Sequence, residues 1–449
     1  MKSLLPDAAD RAAQYLAALA TRRVSPSPSA LEKLSRFDRP LQNEPVDATE
    51  ILRELDEIGS PATVASAGGR YFGFVIGGSL PETLAANILA GAWDQNAGLE
   101  VASPVGAALE KACRPWLIEA LGLPPQTEVG FVTGATMANF SGLAAARHAL
   151  LESVGWDVEA QGLFGAPPIK IMVGQEVHVS VLKALSMLGL GRERVQRVPS
   201  DGQGRMRLDR LPEINGPTIV CLQADNVNTG AFDPAEEICS RIQGTGAWIH
   251  VDGAFGLWAA ASPDTRGLMR GIERADSWAT DAHKWLNVPY DSGLVFVRDR
   301  RQLNAAMAAS AAYLLEGDTR DPYLFTPEMS RRARGIEIWA ALRSLGRTGL
   351  AGLIERSCCH ARKIAGVLSD AGHQVLNEVV LNQVLVSFGN TDRTRRVIAG
   401  VQKDGTCRCG ETTWQGKTAM RISVSSWATT ERDVEMSLEA ILRIAGNAS

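Results

Sequence analysis

From about Gly130 the chain alternates short β-favouring runs with longer stretches of helical periodicity. The runs are GFVTG, IKIMVG, RVQRVP, TIVCLQA, AWIHVDG, SWATD and SGLVFV, and HVSVLKALSMLGL and PAEEICSRIQ are among the helical stretches between them. Several runs are apolar at nearly every position rather than at alternate ones, as expected for strands covered on both faces. The pattern predicts an α/β fold with a mostly parallel sheet. Ligands of such sheets sit at the carboxyl ends of strands, so the residues that follow each run are the first candidates for chemistry.

The flanks read differently. Up to about Ile58 the pattern is helical, interrupted by VSPSPSA and by the polar stretch FDRPLQNEPVDATE. Helices that cannot close a core alone must pack on the main body or on a second subunit. Beyond about Arg300, ARGIEIWAALRSLGR and LAGLIERSCCHARKIAGVLSDAG precede two strand-like runs, NQVLVSFG and AMRISVSSW, and a last helix, TERDVEMSLEAILRIAG. The expected organisation is a helical arm (1–60), a large ligand-binding domain (61–305) and a small C-terminal α+β domain (306–449).

Composition narrows the function classes. A hydrophobic fraction of 45% and a charged fraction of 21% over 449 residues fit an ordinary globular chain with a sizeable core. Lys and Arg together number 46 against 50 Asp and Glu, interspersed, which disfavours an extended basic face for nucleic acid. No window reaches the ~18 apolar residues of a membrane span, and the first residues read as an amphipathic helix rather than a signal peptide. The seven cysteines are scattered without paired CxxC spacing, so reduced thiols in the cytoplasm are expected and no metal site is.

The densest polar constellation is TDAHKW, in which Lys284 follows a strand and lies among Trp278, Trp285 and other apolar groups. Partial desolvation there is expected to lower its pKa and make it a Schiff-base nucleophile. Asp252 ends the run AWIHVD, and a lysine with a strand-end carboxylate is what pyridoxal 5'-phosphate (PLP) chemistry needs: a covalent anchor, and an acid that keeps the pyridine nitrogen protonated. GFVTGATMANF supplies a strand, then Gly134-Ala135-Thr136, then a helix, so backbone N–H groups are available for a phosphate. Neither G-x-G-x-x-G nor a P-loop GK[ST] is present there. His178 stands between strand and helix in VGQEVHVSVLKAL, where an imidazole could stack on a ring and handle a proton.

With these pieces in order, the sequence resembles the PLP-dependent amino-acid decarboxylases that include the glutamate and aromatic-amino-acid enzymes (group II). The matching segments are RYFGFVIGGSLPETLAA, GFVTGATMANFSGLAAAR, QEVHVSVLKAL, NTGAFDP, WIHVDGAFG, DAHKWLNVPYDSG and SRRARGIEIWAALRSLGR. The resemblance implies the PLP-dependent transferase fold (fold type I, aspartate-aminotransferase-like). It further implies that Lys284 anchors the cofactor, Asp252 pairs with the pyridine nitrogen, His178 stacks on the ring and Ala254 packs beneath it. Ala135 and Thr136 would hold the phosphate with help from His283, and Asn228 would approach the cofactor's hydroxyl or the substrate carboxylate. Tyr71, Phe72 and Phe74 match the segment lining the family's substrate pocket, with a buried aromatic core strand as the other reading.

Relatives protonate the substrate carbon with a loop tyrosine, and the corresponding stretch EGDTRDPYLFTPEMSRR offers Tyr323, with Phe325 two positions on. Phenylalanine at the productive position would turn the reaction toward an aldehyde synthase. Arg331 and Arg332 would position the loop or pair with the substrate carboxylate, and Arg421 is a further candidate for either an ion pair or that contact. The expected activity is decarboxylation of an L-amino acid by a homodimer, with no nucleic-acid or membrane partner. The alternatives are another PLP lyase of the same fold, aldolase or sphingosine-phosphate-lyase-like, or a PLP-binding protein without catalysis. Aromatic and acidic substrates both stay open.

Overall fold

All seven β-favouring runs form strands of one sheet: β1 (Glu128–Val132), β2 (Lys170–Gly174), β3 (Gln196–Val198), β4 (Thr218–Gln223), β5 (Trp248–Asp252), β6 (Ser277–Asp281) and β7 (Gly293–Val297). The structure, a computed structural model, describes residues 4–309 and 320–448. Across the sheet the order is β1-β7-β6-β5-β4-β2-β3. Neighbours from β6 to β3 run parallel, while β7 is antiparallel to both β1 and β6. Strands β1, β4, β5, β6 and β7 are buried at every position, which is why they read as continuous apolar runs rather than alternating ones.

Helix Ala135–Glu152 covers one face, and its run of Ala, Gly and Ser lets the backbone lie close to the sheet. Its buried residues share a core with helix Val179–Met187 and with Phe325. This sheet and its helices make up one of two compact units, residues 79–359 with 377–383. The other comprises residues 1–78, 360–376 and 384–449.

The second unit carries a four-stranded sheet, with β8 (Gln374–Val375), β9 (Gln383–Ser387), β10 (Gly410–Trp414) and β11 (Lys417–Ser423) in the order β10-β11-β9-β8. The N-terminal arm belongs to this unit. Arg23 donates to the carbonyls of Lys403 (2.5 Å) and Asp404 (2.8 Å), and the Val24 N–H donates to Gly405 O at 2.8 Å. Buried Arg70 adds bonds to the carbonyls of Ala20, Arg22 and Thr406. The grouping thus differs from the arm, large and small domains of the sequence reading. Residues 306–309 and 320–359 go with the large sheet, because Gly335–Asp370 is a helix broken at Gly346 (φ 57°) and its first part belongs to that unit.

Candidate active site

Strands β5 and β6 are parallel neighbours with Asp252 opposite Ala279, so both end at the same edge of the sheet, β5 in Asp252 and β6 in Asp281. Lys284 follows one turn after β6. Its ammonium lies 3.1 Å from Asp281 Oδ2 and 5.9 Å from the centre of the Phe255 ring. Burial opposes the charge, but Asp281, Asp225 and Asp252 outweigh it and hold the ammonium above its ordinary pKa. This corrects the sequence expectation of a lowered value: apolar neighbours were weighed in TDAHKW, whereas its own Asp281 was not, and Asp225 and Asp252 come from other strand ends.

Asp252 is buried, and burial pushes its carboxyl up, with His178, Lys284 and a hydrogen bond from Asn139 pulling the other way. Ser180 Oγ lies 3.4 Å from Asp252 Oδ2, whereas Oδ1, buried as well, has no hydrogen-bond partner among the described residues. His178 caps the N-terminus of helix Val179–Met187: its Nδ1 accepts from the Ser180 N–H at 3.3 Å and lies 2.7 Å from Ser180 Oγ. Ser180 therefore links the two side chains read from the sequence.

The helix that starts at Ala135 brings its first N–H to Asp281 Oδ1, at 2.5 Å. His283 Nε2 lies 3.3 Å from the same oxygen, Ser292 N–H donates to its Nδ1 at 3.0 Å, and its ring stacks on Tyr290 with centroids 4.2 Å apart. Burial lowers the pKa of His283, against the pull of Asp281. Gly134 and Gly293 approach so closely that a Cβ on Gly293 would lie 2.4 Å from the Gly134 Cα. Thr136, the second residue of the helix, is half-buried.

Other candidates have their own surroundings. Ala254 is buried, and its carbonyl accepts from Asp281 N–H (2.9 Å) and from Thr280 Oγ1 (3.3 Å), tying the end of β5 to that of β6. Asn228 donates its backbone N–H to Asn226 Oδ1 at 2.9 Å in the turn after β4. From that segment it is Asp225, which the sequence reading missed, that acts electrostatically on Lys284. Tyr71, Phe72 and Phe74 belong to the other unit. Tyr71 is buried and hydrogen-bonded to Arg408, Phe72 is fully buried, and Phe74 is 66% exposed.

Tyr323 lies in a short 3-10 turn, Pro322–Phe325, and is buried, its N–H donating to Gly98 O at 2.9 Å. Phe325 is a residue of the sheet's core, with the Arg320 guanidinium 4.6 Å from its ring centre. Residues 316–319 of the same stretch lie outside the described residues. Arg332 pairs with Glu337, and Arg331 is committed to buried Glu110 at 2.6 Å and to Phe131 O at 3.0 Å. Arg331 is thereby a structural cation of this unit. Burial lowers the pKa of Arg421, which sits on β11 of the other unit.

A family model for the pyridoxal-dependent decarboxylase conserved domain matches residues 28–389. The chain belongs to the pyridoxal-dependent decarboxylase family. Among its relatives, an aromatic-L-amino-acid decarboxylase of Bacillus atrophaeus is 28% identical over 298 residues, covering 64% of this chain and 58% of the relative. The acidic amino acid decarboxylase GADL1 of Mus musculus is 30% identical over 307 residues, 65% of this chain and 55% of the relative. The chain thus matches little more than half the length of these two curated relatives. A crystal structure of Oryza sativa TDC with PLP and tryptamine superposes with a TM-score of 0.91 at 21% identity, covering 99% of this chain and 97% of that one, which identifies the shared fold.

The residues fit the family's cofactor on observations of their own. A buried carboxylate oxygen without a partner, Asp252 Oδ1, suits a ring N–H, and a desolvated unpaired acceptor is costly unless something supplies that donor. The N-terminus of a long helix and an adjacent histidine suit a phosphate. A lysine stands between these two features in reach of Asp281.

Proposed function

We propose that this protein decarboxylates an L-amino acid, releasing the amine and carbon dioxide. What supports the reading is the convergence of His178, Asp252 and Lys284 on one edge of the sheet, with one Asp252 oxygen left for a donor. Bound pyridoxal phosphate supplies the electron sink for the bond to the departing carboxylate. Lys284 provides the amine that anchors the aldehyde, once the ammonium that Asp281 Oδ2 stabilises from 3.1 Å has given up its proton. Asp252 holds a proton on the ring nitrogen, and His178 orients the ring from the helix that Ser180 pins. Backbone N–H groups of Ala135 and Thr136, together with His283, would hold the phosphate once Ala135 and His283 exchange their contacts with Asp281 Oδ1 for it, and Ala254 would pack against the ring. Tyr323 is the group we assign to protonating the substrate carbon, since Phe325 is committed to the core.

The relatives include decarboxylases of aromatic amino acids, of acidic amino acids and of histidine, and we take the substrate of this chain to be an aromatic or an acidic amino acid. We also assign a homodimer: on helix Pro81–Trp93, Ile88, Leu89 and Trp93 are about half exposed, which suits a second copy. The seven free thiols fit a cytoplasmic setting. The test is product analysis after the PLP-loaded protein is incubated aerobically with a pool of L-amino acids. An amine with carbon dioxide is the expected result and names the substrate. An aldehyde with ammonia and peroxide would move the assignment to an aldehyde synthase, and unchanged amino acids would overturn it in favour of a binding protein.

A further inference from the structure

Behind Asp252 runs a line of buried polar side chains that the proposed reaction does not use. Trp248 and His250 lie on β5, Ser277 begins β6 and Asn139 is on helix Ala135–Glu152. The Trp248 indole N–H donates to Ser277 Oγ at 2.8 Å. Ser277 Oγ also lies 2.8 Å from His250 Nδ1, and His250 Nε2 lies 2.8 Å from Asn139 Oδ1. Asn139 Nδ2 reaches Ser180 Oγ at 3.3 Å, and the same side chain is hydrogen-bonded to Asp252.

The two ends fix the direction of every bond between them. An indole only donates and a carboxylate only accepts. The amide NH₂ of Asn139 faces Ser180 and Asp252, so its oxygen faces His250 and accepts the proton that must then be on Nε2. The bare Nδ1 of His250 accepts from the Ser277 hydroxyl, whose oxygen accepts from Trp248. Burial drives the pKa of His250 down to about 3, so the imidazole is neutral. Its slot is cut to shape, since a Cβ on Gly142 would lie 2.9 Å from His250 Cε1.

We propose that His250 and Asn139 are positioning residues that aim the Asp252 carboxylate through this one-way chain of hydrogen bonds. Neutral donors on one side hold the carboxylate without cancelling its charge, and they leave Oδ1 to face the cofactor. Ser180 shares its single proton between His178 and Asp252, so the fixed branch runs through Asn139. This proposal rests on the assigned role of Asp252.

The test has two parts. In cofactor-free protein labelled with ¹⁵N at its six histidines, the resonances of His250, assigned with His250→Gln, should report a neutral ring protonated at Nε2 throughout pH 5–8. A proton on Nδ1, or a charged ring at pH 6, overturns the proposal. The second part measures PLP affinity by titration and the pH midpoint of the bound cofactor's absorbance. His250→Gln keeps an acceptor and a donor and should stay within about threefold of wild type, whereas His250→Leu should weaken binding by about tenfold or more. If His250→Leu does not fold, Ser277→Ala removes the hydroxyl that donates to Nδ1 with little change of volume. It should shift the absorbance midpoint in the same direction as Asp252→Asn. Asp252→Asn that binds PLP as tightly as wild type would overturn the role of Asp252 itself. Asp252→Asn that weakens binding while His250→Leu and Ser277→Ala do not would overturn the positioning chain alone.

Discussion

Replacing Asp225 with asparagine should flatten the pH dependence of stability of the cofactor-free protein. Asp225 is buried, and Oδ2 accepts the backbone N–H of Phe255 at 3.0 Å and that of Gly256. Burial, opposed by Lys284 and assisted by Asp252, pushes its carboxyl from 3.8 up to about 8. The unfolded chain therefore releases this proton near pH 3.8 while the folded chain keeps it to about pH 8. The stability that Asp225 contributes is complete below the lower value and is lost as pH rises toward the higher one. Each pH unit inside the window is worth about 1.4 kcal/mol, so the loss between pH 5 and 7 is about 2–3 kcal/mol. Asparagine stays neutral in both states and offers a carbonyl oxygen to the same two N–H groups, so its slope from this position is zero. Urea unfolding of both proteins at intervals from pH 5 to 8 is the assay. Wild type should lose about 2 kcal/mol relative to Asp225→Asn between pH 5 and 7. Parallel stability curves would refute the reasoning, because they would mean the buried acid is already ionised in the folded protein.

Three further outcomes follow from the same geometry. Lys284→Ala should lose both turnover and the absorbance of the covalently held cofactor, and an active variant with an unchanged spectrum would defeat its role as the anchor. Gly293→Ala puts a Cβ 2.4 Å from the Gly134 backbone, where no flexible side chain can give way. We expect it to cost about 1–3 kcal/mol in unfolding experiments and to weaken PLP binding measurably. Arg331→Met leaves buried Glu110 to the more distant Arg320, 3.8 Å away, and should destabilise by about 3 kcal/mol, whereas adding Glu110→Leu to that variant should restore much of the loss. Thermal and urea denaturation of the single and double variants check this.

Most strands of the large sheet were legible because β1, β4, β5, β6 and β7 are buried on both faces and so leave nearly apolar runs of their own length, whereas β3 is mostly exposed. On the other sheet β10 was not, since GETTW alternates exposed and half-buried positions, and β8 has only two residues. Lys284, Asp252, His178 and His283 could be read because each ends a strand or stands in the short turn that follows one. Asp281 stood in the same segment and would have been found by asking which acid sits three residues before the lysine. Asp225, Asn139 and His250 had no such signal: their importance comes from strand register and from side chains meeting across the sheet. The same holds in part for the pKa of Lys284, whose direction reversed once Asp281 of its own segment and the carboxylates of Asp225 and Asp252 from other strand ends were counted.

One feature of the sheet bears on the order of events during synthesis. Strand β7 is the latest of its seven strands in the chain, yet it lies between β1 and β6 rather than at an edge. Until it inserts, β1, which leads into the helix start at Ala135, has no strand pairing that joins it to β6, which ends in Asp281, and the gap between them is filled by a strand that begins with a bare glycine, Gly293. A ribosome-bound chain that has exposed Lys284 but not Val297 thus carries the lysine and both strand-end acids without a joined phosphate cradle. Cofactor capture would then mark completion of the large sheet, and a pool of PLP in the cell would act on the nearly finished fold rather than on its early pieces.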